Sequence, residues 1–432
     1  MNIKLTNRIK SSRFFSGIFW TTFGAGLSRL LVIVGSIVSA NILGAEKYGE
    51  FGIIRSTINV LLVVAGLNIG AVLTKYISEF REKDKEKCAL MVTQNYLFVF
   101  FLTFLFSLLL YFSASFISNS ILESPQLENE LKLSAFILFF GITFPLNESV
   151  FRGFEWFKEL GIIQILGSMS FIVFVPLGSY YNGVYGAISG YFLYSVIMSL
   201  VTSLLLYKML KKDNLSIFKI DRLSFKFNDL LKLTLPILLA SLVEAPFFWA
   251  AQALLIRDSG MIEIGYVNAI FQIRNLALIL PSYVSMVSLP LLSNAISKSN
   301  DIEFKHYFKN SLRVNLIFSI LCTIPLIFFS KEILLLFGND FKVSFWASFW
   351  AYLSIPFLVV VSVVNQSLIA KGRGWINLYI ALTWNIIFIS LVYYLMTIGT
   401  LETIGYMFSL FISILILVGL KFYYNFKLKN HS

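Results

Sequence analysis

Histidine, cysteine and charge are all scarce in this 432-residue chain, and each scarcity excludes a class of protein. The two histidines, His306 and His431, and the two cysteines, Cys88 and Cys322, are scattered. They offer neither the close ligand spacing of a metal centre nor a disulfide framework. No G-x-x-x-x-G-K-[ST] run is present, which argues against ATP hydrolysis. Two loop histidines also leave no Ser/His/Asp constellation to build. The chain therefore does not read as an enzyme, and no cofactor is implied. Charged residues make up 13% of it, about half the roughly 25% of a soluble domain. A cleavable leader is not expected, because the first apolar segment is long and does not end in a small-residue cleavage site.

Apolar side chains are abundant. Hydrophobic residues are 57% of the sequence and the mean hydropathy is +0.79. They fall in long runs separated by short polar gaps. About 20 apolar residues cross the roughly 30 Å hydrocarbon layer as a helix. Within lipid each backbone polar group must be paired locally, so the expected fold is all-α integral membrane. The alternating segments of an outer-membrane barrel are absent. Twelve transmembrane helices are expected, near 14–41, 51–74, 89–112, 132–150, 160–178, 184–206, 230–255, 264–294, 311–329, 343–367, 375–397 and 403–424. Pro145, Pro236, Pro246 and Pro281 fall inside them.

The loops sort by charge. Twenty-seven basic residues lie in the termini and the even loops, against five in the odd loops. The positive-inside rule then puts both termini in the cytoplasm. The bias also accounts for the formal charge of +12 without nucleic acid.

The two halves resemble each other. Gly44 and Gly49 after the first span match Gly260 and Gly265 after the seventh, at an offset of 216. Arg152-Gly153-Phe154-Glu155-Trp156 matches Lys371-Gly372-Arg373-Gly374-Trp375 at an offset of 219. Six spans is an even number, so the repeats insert in the same direction. Two pseudo-symmetric six-helix lobes are expected, 1–214 and 215–432, with the border in the basic loop near Asn214.

The segments LGAEKYGEFG, FRGFEWFKELG, ILLLFGNDF and LIAKGRGW, in this order, are similar to loop signatures of polysaccharide flippases. The chain thus resembles the multidrug/oligosaccharidyl-lipid/polysaccharide (MOP) exporter superfamily, and within it the O-antigen (Wzx-type) flippase branch. The resemblance implies alternating access about a central cavity in the bacterial cytoplasmic (inner) membrane. It implies an undecaprenyl-diphosphate-linked oligosaccharide as cargo for O-antigen, lipopolysaccharide or capsule synthesis. It also makes a polysaccharide polymerase and a chain-length regulator candidate partners, beside membrane lipids.

Such a cargo needs a wet, cationic path through hydrocarbon, and charges inside spans are costly enough to require a reason. Once the residues counted with loops and termini are set aside, five remain: Arg29, Arg55, Arg274, Glu148 and Glu244. Arg29, near the middle of its span, shares a face with Thr22 and Ser36 at heptad spacing. Arg274 lies beside a stripe of Asn268, Gln272 and Asn275, but about 100° away from Asn275. Arg55 is close enough to the span's end to snorkel. These three are the candidate substrate-binding residues. Glu244, between Pro236 and Pro246, aligns beside Arg29 in the repeat and is the candidate coupling or cavity residue; a structural ion pair with Arg29 or Arg274 is the alternative. Glu148 is explained by an (i, i+4) pair with Arg152. Trp249 and Trp384 could stack on sugars, although the lipid-facing reading is favoured. A cation-coupled multidrug exporter of the same superfamily is the alternative function, since arginines outnumber acids only three to two within the spans.

Overall fold

A computed structural model describes the backbone of residues 2–66, 69–212, 228–298, 300–399 and 402–427. Within these, the side chains of 2–19, 21, 69, 71–72, 228–238, 240–241, 280, 283, 286–287, 290, 297 and 426–427 are not described. The expected border near Asn214 and the side chain of Pro236 lie outside the described residues.

The described chain is helical and contains no strand. The helices are α1 (Asn2–Gly66), α2 (Ile69–Phe80), α3 (Lys85–Phe116), α4 (Glu128–Gly141), α5 (Thr143–Gly153) and α6 (Phe157–Lys212). After the border loop come α7 (Asn228–Ser259), α8 (Met261–Ala277), α9 (Ile279–Ser297), α10 (Asp301–Phe328), α11 (Ser330–Leu335), α12 (Phe345–Ala370), α13 (Gly374–Thr397) and α14 (Glu402–Lys427). Eight helical runs among the described residues are long and apolar enough to cross a membrane. Two of them, Thr22–Gly66 and Phe157–Lys212, are more than twice the length of about 20 residues that one crossing needs. Each is broken inside: α1 at Gly44 and α6 at Asn182-Gly183, where φ and ψ leave the helical region.

Proline breaks two of the expected spans. A proline lacks the N–H that would bond four residues back, and its ring clashes with that carbonyl. Pro281 follows the break between α8 and α9, and Pro145 the break between α4 and α5.

The polarity of the helices is inside out. On α10 the buried stripe is Ser311, Asn315, Ser319 and Thr323, whereas Ile317, Phe318, Leu321 and Ile324 are exposed. On α3 Thr103, Ser107 and Ala114 are buried and Phe101, Phe104, Leu109 and Phe112 are exposed. In water this arrangement would be unfavourable; in lipid it is expected, because small residues let helices approach and hydroxyls can bond inward. Thr103 donates to the Val99 carbonyl at 2.7 Å and Thr202 to the Met198 carbonyl at 2.6 Å, which satisfies each hydroxyl within its own helix.

The chain packs as two units. The first comprises Met1–Ile42 and Thr57–Asn228, the second Leu43–Ser56 and Asp229–Ser432. The first unit is closed by an apolar cluster including Leu73, Ile77, Val92, Val99, Phe151 and Ile163. A polar knot crosses it: Tyr96 Oη donates to Asn147 Oδ1 at 2.5 Å, and Asn147 Nδ2 donates to Thr202 Oγ1 at 2.9 Å.

In the second unit, Leu43–Ser56 lies against α8 and a buried aromatic group. Tyr48 stacks edge-on against Phe341 (5.8 Å between centroids) and tilts on Phe337 (6.1 Å). The repeat is visible here in backbone conformation. Gly44 has φ 75° and ψ 172°, and Gly260 has φ 89° and ψ −178°. Both lie in a region that favours glycine, and each marks the start of a new helical limb. The second repeat match has a shifted register. The residue at positive φ after α5 is Glu155 (62°), and its counterpart after α12 is Gly372 (69°). The same bond closes both turns: Trp156 N–H to the Phe151 carbonyl, and Arg373 N–H to the Leu368 carbonyl, both 2.9 Å. The structural offset is therefore 217 rather than 219.

Candidate functional site

Arg29 sits on α1 in the first unit with its side chain exposed. Leu30, Val34, Val38 and Ile42 form an exposed apolar stripe on the same helix. At about 100° per residue, Arg29 lies nearly opposite that stripe and on the side of buried Ser36 and Ala40. The expected uniform polar face is absent: Thr22 is half-buried, Arg29 exposed and Ser36 fully buried.

Arg55 falls in the second unit, on the α1 segment that follows the break. It is half-buried, about three turns past Gly44, with its guanidinium 5.4 Å from the Phe51 ring centre. Glu148 pairs with Arg152 at 2.8 Å, as its spacing predicts, and also accepts from Gln164 Nε2 at 3.1 Å.

The remaining charges gather within the second unit. Arg274 ends α8 and is 8% exposed. Its guanidinium lies 4.4 Å from the Phe271 ring centre, a cation–π contact that gains strength where water is excluded. Nε and Nη1 of Arg274 bond to none of the described residues, and neither do Oη of Tyr406 and Nε1 of Trp384. Buried donors are ordinarily satisfied, so such a group of orphans calls for a functional account. An aromatic chain links them: Phe271 to Tyr406 (6.4 Å), Tyr406 to Phe388 (5.6 Å), Phe388 to Phe248 (5.2 Å) and Phe248 to Trp384 (5.8 Å). Trp384 is 5% exposed, which overturns its lipid-facing reading. Its ring packs against Phe248 of α7, 5.8 Å between centroids.

Glu244 lies on α7 with an exposed side chain, yet two interior cations, Lys421 and Arg274, act on its carboxylate through space. A direct ion pair with either is absent among the described residues. The carboxylate is thus accessible and feels two positive charges.

Lys421, one of the basic residues expected in the cytoplasmic C-terminus, is instead buried. Its side chain is 6% exposed. Nζ donates to Asn365 Oδ1 of α12 at 2.9 Å and to Asn377 Oδ1 of α13 at 2.7 Å. One turn further along α14, Asn425 accepts from Lys371 Nζ and from Ser367 Oγ. The signal was in the periodicity. Met407, Leu410, Ile414, Leu417, Lys421 and Asn425 form one buried stripe with steps of three and four. Lys421 continues the core face of its helix.

The interior of the second unit can therefore hold one net positive charge, two cations against one acid, in a setting of aromatic rings and unsatisfied donors. This suits an anion or a polar headgroup. Among the described residues no group of three or more His, Cys, Asp or Glu could hold a metal ion.

The fold is shared with known transporters. An inward-facing multidrug resistance MATE family transporter of the MOP superfamily superposes with a TM-score of 0.79 at 16% identity, covering 92% of this chain and 93% of that one. An outward-facing MATE transporter of the same superfamily gives 0.69 at 15% identity, covering 95% and 94%. A MOP superfamily transporter from Pyrococcus furiosus, described as having a binding pocket of reversed polarity, gives 0.67 at 14% identity, covering 95% and 94%. No curated protein sequence matches the chain. The MatE family model matches residues 236–395. The family model described as "Polysaccharide biosynthesis protein" matches residues 14–296, well over half of the chain. This multi-pass membrane protein belongs to the polysaccharide biosynthesis protein family.

Proposed function

We propose that the protein is a flippase that moves an undecaprenyl-diphosphate-linked oligosaccharide from the cytoplasmic to the outer leaflet of the bacterial inner membrane, for O-antigen or capsule synthesis. Arg274 carries the reading: a guanidinium 8% exposed, stacked on Phe271 and with two unsatisfied N–H-bearing atoms, suits a phosphate oxygen. Arg29 and Arg55 would add charge along the path, and Glu244 would shape it or couple it to an ion. The reversed pocket polarity described for the Pyrococcus transporter supports the idea that pocket charge selects cargo on this fold.

Twelve crossings in two six-helix lobes, with both termini cytoplasmic, form part of the same proposal. Counting each limb of α1 and α6 once, α2 with the second limb of α1, and α4–α5 and α8–α9 as one crossing each, and leaving out α11 as too short to cross, supports that number. The second reading, a cation-coupled multidrug exporter, is favoured by the MatE match over 236–395 and by the multidrug transporters among the structural relatives.

The deciding experiment is Arg29→Ala combined with Arg274→Ala in the native host. Surface polysaccharide should fall steeply while the protein stays in the membrane and drug tolerance is unchanged. Undiminished polysaccharide with altered drug tolerance would favour the exporter.

A further inference from the structure

The environment of Lys421 has a chemistry of its own. Its ammonium is buried at the crossing of α12, α13 and α14 and is held by two neutral amide oxygens, Asn365 Oδ1 and Asn377 Oδ1. Among the described residues no carboxylate pairs with it, while Glu244 acts on it through space. Amide carbonyls and a carboxylate are hard oxygen donors, the set that takes alkali and alkaline-earth ions. A primary ammonium and an alkali ion present the same thing to such oxygens: one positive charge at close range. If Lys421 only tied helices together, an apolar residue could pack there without desolvating a charge.

We propose that this crossing is a monovalent-cation site and that Lys421 is its tethered occupant. Asn365 and Asn377 supply the seat, and Glu244 supplies the field that favours a positive charge in it. Glu244 has an exposed side chain and acts on Lys421 through space, so an ion drawn to its carboxylate comes within reach of the seat. With Lys421 in place, the second unit is indifferent to sodium and potassium. With the ammonium removed, the same oxygens take a free ion. The inference holds whatever cargo the protein moves.

The test uses the full-length protein in detergent, unfolded thermally in choline chloride, sodium chloride or potassium chloride at equal ionic strength. The unaltered protein is expected to melt at one temperature in all three salts. Lys421→Met should melt several degrees lower in choline and recover, saturably, in sodium or potassium, because an ion that binds only the folded state raises its stability. Adding Asn377→Leu should abolish the recovery. Lys421→Gln is the milder variant should Lys421→Met fold poorly, and radioactive sodium binding reads the same site directly. The inference is overturned if either folded variant melts identically in the three salts and binds no sodium. A cation-specific rise in the unaltered protein that Asn377→Leu removes would overturn it equally.

Discussion

Gly49 and Gly265, paired by the repeat, touch each other. A Cβ on Gly49 would stand 2.0 Å from the Met261 carbonyl oxygen, and one on Gly265 would stand 2.1 Å from that of Ala45. The segment Leu43–Ser56 and helix α8, equivalent in the repeat, therefore pack backbone to backbone through equivalent glycines. Both obstructing atoms are main chain, so neither can rotate aside.

Gly49→Ala and Gly265→Ala should each destabilise the protein by roughly 1–3 kcal/mol, the usual range for overpacking a tight contact. Both substitutions spread the same pair of helices, so the double variant should cost less than the sum. Thermal unfolding of the three variants checks this, and additive losses would contradict the shared contact.

Glu155 and Gly372 make a contrasting pair. Glu155 adopts φ 62° in a turn where its counterpart is glycine. Left-handed backbone costs a residue with a side chain roughly 1–2 kcal/mol. The compensation is Arg81, whose Nη2 lies 2.6 Å from Glu155 Oε1 and whose Nη1 donates to the Gly153 carbonyl at 3.1 Å. Glu155 is 57% exposed, and an exposed pair contributes only about 0.2–1 kcal/mol. The backbone term wins. Glu155→Gly should leave stability unchanged or raise it by up to about 1 kcal/mol, whereas Gly372→Ala should lower it by about that amount. Melting temperatures of the two variants decide it.

Arg274 and Glu244 should be energetically coupled although they do not touch. Arg274→Met removes one of the two cations that face Glu244 and should lower both transport and stability. Glu244→Gln in the same chain should recover part of the stability, with a coupling of about 0.5–3 kcal/mol in a double-mutant cycle, and none of the transport. A coupling of zero would separate the two residues into independent roles.

Arg55 should matter less. Its side chain is half-buried on the second unit's α1 segment, over Phe51. Arg55→Lys keeps the charge but weakens the planar stacking, so transport should stay within a few fold of the unaltered protein, while Arg274→Lys should lose far more because its guanidinium is enclosed. Equal losses at the two positions would contradict the difference in burial.

The sequence alone determined the solvent and the class. The length of the apolar runs, their small and hydroxylated stripes and the bias of lysine and arginine between loops depend only on local composition, since a bilayer imposes its thickness on every crossing. The glycines of the repeat were also legible, because positive φ and close approach leave few alternatives. The tertiary structure decided where the charges meet. Lys421 lies within two turns of the chain's basic tail, and only the packing of α12 and α13 against α14 turned it from surface charge into interior cation. Trp384 was drawn inward by Phe248 from another helix, and the limb Leu43–Ser56 was claimed by the second unit. These are contacts between residues dozens to hundreds of positions apart, and no window of sequence records which helix faces will close on one another.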